Sequence, residues 1–144
     1  MRMRSKGTLS KLLVVVGLLV GGLFAVPSQA SAATVCSNTD GSYLSRDVRN
    51  SAGELIATLW WHGTTTGKGC YVLRAAKWEG TPHYMLLRIC NYDYSRCSGE
   101  DAGIYSSYAG PIYFDPVCTN ARVIVHSPSG SVAFDKRIAA GPCE

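Results

Sequence analysis

Hydrophobic and polar residues alternate along most of this chain with a period of two. From Glu54 to His62, Leu55, Ala57, Leu59 and Trp61 fall on one side and Ile56, Thr58, Trp60 and His62 on the other. This is the pattern of a strand with both faces at least partly covered. Three glycines between Gly63 and Gly69 interrupt it, and Val72 alternating with Tyr71 and Leu73 resumes it from Cys70 to Ala76. The two runs predict a β-hairpin with a loop of about six residues. After the turn-forming Trp78-Glu79-Gly80-Thr81-Pro82, His83 to Cys90 sets Met85, Leu87 and Ile89 against Tyr84, Leu86 and Arg88. Ala121 to His126 sets Ala121, Val123 and Val125 against Arg122, Ile124 and His126, and Ser131 to Ile138 returns after the Ser127-Pro-Ser-Gly130 turn as a last hairpin strand.

The remaining stretches are weaker. Thr34 to Asn50 is polar, with one short strand expected over Ser42 to Val48. The octapeptide Cys90 to Cys97 reads as a polar loop that presents Tyr92 and Tyr94, and Ser98 to Ile104 as a further loop. Tyr105 to Phe114 holds one or two strands around Gly110-Pro111; Pro111 has no N–H for a ladder, so this is an edge or a bend. No run has helical periodicity. Seven short runs separated by Gly, Pro, Ser and Asn predict an all-β fold, a small disulfide-bonded sandwich or barrel.

The N-terminus stands apart from that pattern. Arg2, Arg4, Lys6 and Lys11 precede a run from Leu12 to Val26 that is apolar apart from glycine, and Ala30-Ser31-Ala32 offers small residues for cleavage. Residues 1–32 therefore read as a secretory signal peptide. The apolar run is shorter than the ~20 residues a membrane-spanning helix needs, so no span is expected once it is removed. Residues 33–144 are then one all-β domain. The leader also holds four of the 14 Lys and Arg, leaving ten against ten acids, so the sequence pI of about 8.8 belongs to the precursor. A neutral domain lacks the basic footprint of a nucleic-acid binder.

All six cysteines, Cys36, Cys70, Cys90, Cys97, Cys118 and Cys143, follow the leader. An even count in a small exported chain reads as three disulfides. Metal ligation is not expected, since no C-x-x-C pair exists and no histidine flanks the Cys90–Cys97 pair. The local Cys90–Cys97 link is favoured, with Cys36–Cys70 and Cys118–Cys143 as the simplest completion. By loop entropy the short link is worth about 2.5 kcal/mol and the longer ones about 3.5–4 kcal/mol.

Thr66-Gly67-Lys68-Gly69-Cys70 leading into a strand, then Asp101-Ala-Gly-Ile-Tyr-Ser-Ser-Tyr-Ala-Gly-Pro-Ile-Tyr113 followed by Cys118, resembles the spore-associated protein A family of small secreted proteins from filamentous actinobacteria. The resemblance runs from Glu54 to Cys118. It implies an extracellular or spore-surface location and a compact disulfide-bonded domain, and it brings no catalytic residue. Cys90 and Cys97 look like an added pair relative to that family, and the segment after Cys118 lacks the Trp-Gly-Gly expected there.

Catalytic chemistry finds little support. There is no G-x-S-x-G elbow, and Gly67-Lys68-Gly69 lacks phosphate-loop spacing and precedes a strand. His62, His83 and His126 are isolated in or beside strands, and Glu100-Asp101, Asp115 and Glu79 form no recognisable pair. No cofactor is expected. Eight tyrosines and three tryptophans offer a different possibility: a glycan- or protein-binding surface made of Tyr92, Tyr94, Tyr105 and Tyr108, with Trp60 and Trp78 as further candidates. A third reading makes Asn91 to Arg96 the rigid bait loop of a protease inhibitor. The partners expected are therefore cell-wall or spore-surface glycan or protein.

Overall fold

The computed structural model describes residues 35–115 and 118–143. The leader expected over residues 1–32 lies outside the described residues.

Period-two alternation becomes strand throughout. The strands are β1 (Thr39–Arg49), β2 (Leu55–Thr64), β3 (Gly69–Ala75), β4 (His83–Asn91), β5 (Cys97–Tyr105), β6 (Tyr108–Phe114), β7 (Thr119–His126) and β8 (Val132–Ala139). They form two four-stranded sheets with every pairing antiparallel: sheet A in the order β1-β2-β3-β6 and sheet B in the order β5-β4-β7-β8. The fold is a β-sandwich. Its core forms where the inner faces meet: Leu59, Tyr71 and Leu73 from sheet A lie against Met85, Leu87, Ile89, Val123 and Val125 from sheet B, all of them buried. Each such side chain contributes about 1.5–3 kcal/mol by leaving water. Trp61 and Trp78 pack at the border of this core.

Two expectations need correction. Ser98 to Ile104 is not a loop but most of β5, the edge strand of sheet B, with Leu86 opposite Ala102 and Tyr84 opposite Ile104. An edge strand buries one side at most, so its polar and glycine-rich sequence carries no hydrophobic alternation; neighbouring β4 and the Cys90–Cys97 link hold it in register. The strand count accordingly rises from seven to eight. The β2–β3 loop is also tighter than expected, four residues from Thr65 to Lys68, because the backbone register runs on to Gly63 opposite Gly69; the Thr64 hydroxyl donates to the Lys68 carbonyl (2.6 Å) across it.

All six cysteines are paired, as Cys36–Cys70, Cys90–Cys97 and Cys118–Cys143. The first ties the segment before β1 to β3, the second closes the β4–β5 hairpin, and the third anchors the tail beside β7. Three disulfides fit an oxidising, extracellular environment.

The chain passes from sheet B to sheet A at Ser106-Ser107, and the Gly110-Pro111 bend lies just beyond, inside β6. Gly110 has φ +105°, and a Cβ there would lie 2.7 Å from the Tyr71 carbonyl oxygen, so no other residue fits. Asp101, on the inward side of β5, accepts hydrogen bonds from the Gly110 N–H and the Tyr105 hydroxyl. Its carboxylate latches the edge of sheet B to β6 of sheet A. That hydrogen bond to an anion is the main reason the Tyr105 phenol is pushed up to about 12.

Candidate functional site: a basic row on sheet B and an aromatic face on sheet A

In β7 the outward-facing residues alternate with buried ones, and β4 and β8 lie on either side of it. Antiparallel register then sets the outward-facing residues side by side. Arg88 pairs with Glu100 on one side and with Arg122 on the other, and Arg122 pairs with Arg137. A single row therefore crosses sheet B as Glu100, Arg88, Arg122, Arg137, with neighbours about 5 Å apart at the backbone. Like charges directly opposite one another weaken a sheet.

The row receives only partial compensation. Arg122 pairs with Asp135 at 2.6 Å, yet its Nε is buried without a partner. The Arg137 guanidinium sits 4.2 Å from the centre of the Tyr94 ring, a cation–π contact that orders it without neutralising it. Among the described residues, Arg88 has neither an ion pair nor a hydrogen bond, although Glu100 is its cross-strand neighbour. With Leu86, Ile124, Tyr94 and the Cys90–Cys97 bridge these side chains line an open groove of about 380 Å³.

The hairpin loop that carries Tyr94 is built to hold it. Asn91 and Arg96 bond backbone to backbone (2.9 Å), the Asn91 side chain accepts from the Arg96 N–H (3.0 Å), and Tyr94 adopts a left-handed φ of +61°. The Ser95 backbone N–H beside Asp93 holds that carboxyl below the usual carboxylate range. Arg96 stays exposed, paired with Asp115 at 3.0 Å and lying 5.2 Å over Phe114.

The four tyrosines singled out from the sequence do not share one surface. Tyr92 (71% exposed) and Tyr94 lie at one end of β5, Tyr105 and Tyr108 at the other, roughly 27 Å away along eight residues of strand. Tyr105 is engaged by Asp101, and Tyr108 packs beside Val72 and the Cys36–Cys70 bridge.

A cluster of aromatics does exist, on the outer face of sheet A. Tyr43 (64% exposed) lies 5.9 Å from Trp60 and 6.3 Å from His62, and Trp60 stacks on His62 at 6.0 Å. Register continues this row from Tyr43 and His62 through Cys70 to Tyr113. The Tyr113 hydroxyl accepts from the Ser37 N–H at 2.8 Å. Burial lowers the His62 pKa, and its Nε2 has no partner.

Residues considered for catalysis are kept apart. Glu100 and Asp101 are consecutive in a strand, so one faces the outer cavity and the other the gap between the sheets. Glu79 pairs with Arg74 at 2.7 Å and Asp115 with Arg96. His83 is buried with Nδ1 at 2.7 Å from the Thr81 carbonyl, and His126 lies against Tyr84 at 4.8 Å. Among the described residues no group of three or more His, Cys, Asp or Glu is arranged to hold a metal ion.

Fold and site together define a small, cross-linked antiparallel β-sandwich with a basic groove on one outer face and aromatic rings on the other. No protein-family model, curated protein or solved structure matches the chain.

Proposed function

We propose that this is a non-enzymatic exported protein, held at the cell envelope or spore surface, that works by binding a surface component through the outer face of sheet B. The observation that carries this reading is the row of Arg88, Arg122 and Arg137. Three like charges in direct cross-strand register oppose folding, and a local rule broken without full compensation points to a contact made with something else. The disulfides and the resemblance to spore-associated protein A support the location. The Cys90–Cys97 bridge supports binding by fixing one wall of the groove in advance, which lowers the ordering cost on contact.

A second reading puts the contact on the outer face of sheet A, favoured by the exposed Tyr43 ring beside Trp60 and His62. Such a platform suits glycan or protein.

Fractionation of a producing culture tests the first reading. The expected result is protein recovered from envelope or spore-coat washes with all six cysteines oxidised. Recovery only from cytoplasm, with free thiols, removes its basis.

A further inference from the structure

We propose, taking the outer face of sheet B as the contact surface, that its groove is a site for a tetrahedral oxyanion carried on a small polar body, that is, a phosphate ester of sugar size. A planar carboxylate offers two oxygens in one plane and is saturated by one bidentate guanidinium. A row of guanidiniums rooted on adjacent strands, about 5 Å apart, matches instead a group whose oxygens point in several directions and can bridge neighbours. Arg88 has no partner among the described residues, and Arg122 keeps a buried, unpaired Nε after its bond to Asp135. Tyr94 contacts Arg137 through its ring face without neutralising it.

Local charge agrees with this. Three guanidiniums face Glu100 and Asp135, leaving one positive charge uncompensated. The cavity of about 380 Å³ exceeds the needs of one phosphate group and falls at the lower end of the roughly 300–1,000 Å³ typical of small-molecule sites. Leu86 and Ile124 supply an apolar floor for the body that carries the phosphate.

Nuclear magnetic resonance titration of the arginine Nε–H signals, with calorimetry for affinity, tests the site on the whole secreted chain. The probes are glucose 6-phosphate, inorganic phosphate and acetate. Glucose 6-phosphate is expected to bind saturably and to shift Arg88, Arg122 and Arg137; inorganic phosphate binds more weakly and acetate more weakly still. Arg88→Gln is expected to weaken the ester about tenfold, as loss of one charge-assisted contact does. Because it also relieves like-charge crowding, it leaves the melting temperature unchanged or raised.

Absence of a saturable shift, acetate binding as tightly as the ester, or full affinity in an Arg88→Gln/Arg137→Gln double variant overturns the site. Inorganic phosphate binding as tightly as glucose 6-phosphate overturns the ester assignment. If the double variant loses glucose 6-phosphate yet remains on envelope material, the phosphate site stands and the envelope role of this face falls.

Discussion

Removing the Asp101 carboxylate should loosen the sandwich where β5 of sheet B meets β6 of sheet A. Asp101 accepts from the Gly110 N–H and from the Tyr105 hydroxyl. Hydrogen bonds to a charged partner are worth about 1.5–3 kcal/mol each. The carboxylate is half-buried rather than enclosed, and the two bonds share one acceptor group, so they do not add in full. Asp101→Ala is therefore expected to cost about 2–3 kcal/mol, part of it from the Gly110 N–H left without a partner. For a domain of this size the melting temperature falls by roughly 10 °C, at about 4 °C per kcal/mol. Asp101→Asn keeps one carbonyl oxygen and should lose about half as much. Thermal and urea unfolding followed by circular dichroism give the stability. Tyrosinate absorbance gives a second readout, because without the carboxylate the Tyr105 phenol should return from about 12 towards its ordinary value of 10.0. An Asp101→Ala protein that melts within about 1 °C of wild type, with Tyr105 still titrating near 12, would refute the latch.

Other perturbations have equally definite outcomes. Gly69→Ala places a methyl 2.2 Å from the Trp61 indole nitrogen and 3.0 Å from the Tyr71 ring; overpacking of this kind costs about 1–3 kcal/mol, read from the urea midpoint. Tyr71→Phe removes a buried 2.9 Å hydroxyl bond to Thr119 that joins the sheets, and should cost about 1–2 kcal/mol in thermal unfolding. Tyr71 and Tyr105 are both pushed up to about 12, Tyr71 chiefly by burial. Folded values above the unfolded 10.0 mean stabilisation that is complete below pH 10 and lost as pH rises towards 12. Alkaline unfolding should be steep in wild type and shallower in Tyr71→Phe. His62 shifts the other way: its folded pKa lies below the ordinary 6.5, so its contribution is present above that value and lost as pH falls through the folded pKa. His62→Phe should flatten the acid limb of the stability curve.

What was legible in the sequence was the inner face of each sheet. Leu59, Leu73, Leu87, Val123 and Val125 recur at every second position beside polar residues, and burial demands that spacing. The Cys90–Cys97 pair was legible because a separation of seven residues is short enough for a hairpin to bring the two together, as the β4–β5 register does. β5 was hidden because an edge strand takes its order from its neighbour rather than from its own hydrophobicity. The basic row was hidden for a different reason. Arg88 and Arg122 each showed on the polar side of its strand, but their adjacency depends on register across non-consecutive strands, which no single strand encodes. Tyr43 meets Trp60 diagonally across the β1–β2 register, where its direct partner is His62. The tyrosines of the loop and the bend looked like one surface because they are close in sequence; a rigid strand between them drives them to opposite ends.

The most direct measurement is a backbone amide map of the labelled disulfide-bonded domain titrated with solubilised envelope or spore-coat polymer. Perturbations are expected to centre on Arg88, Arg122, Arg137 and the Tyr94 loop and to fade with added salt. Perturbations confined to Tyr43, Trp60 and Tyr113 on the opposite sheet, or none at saturating polymer, would contradict binding through sheet B.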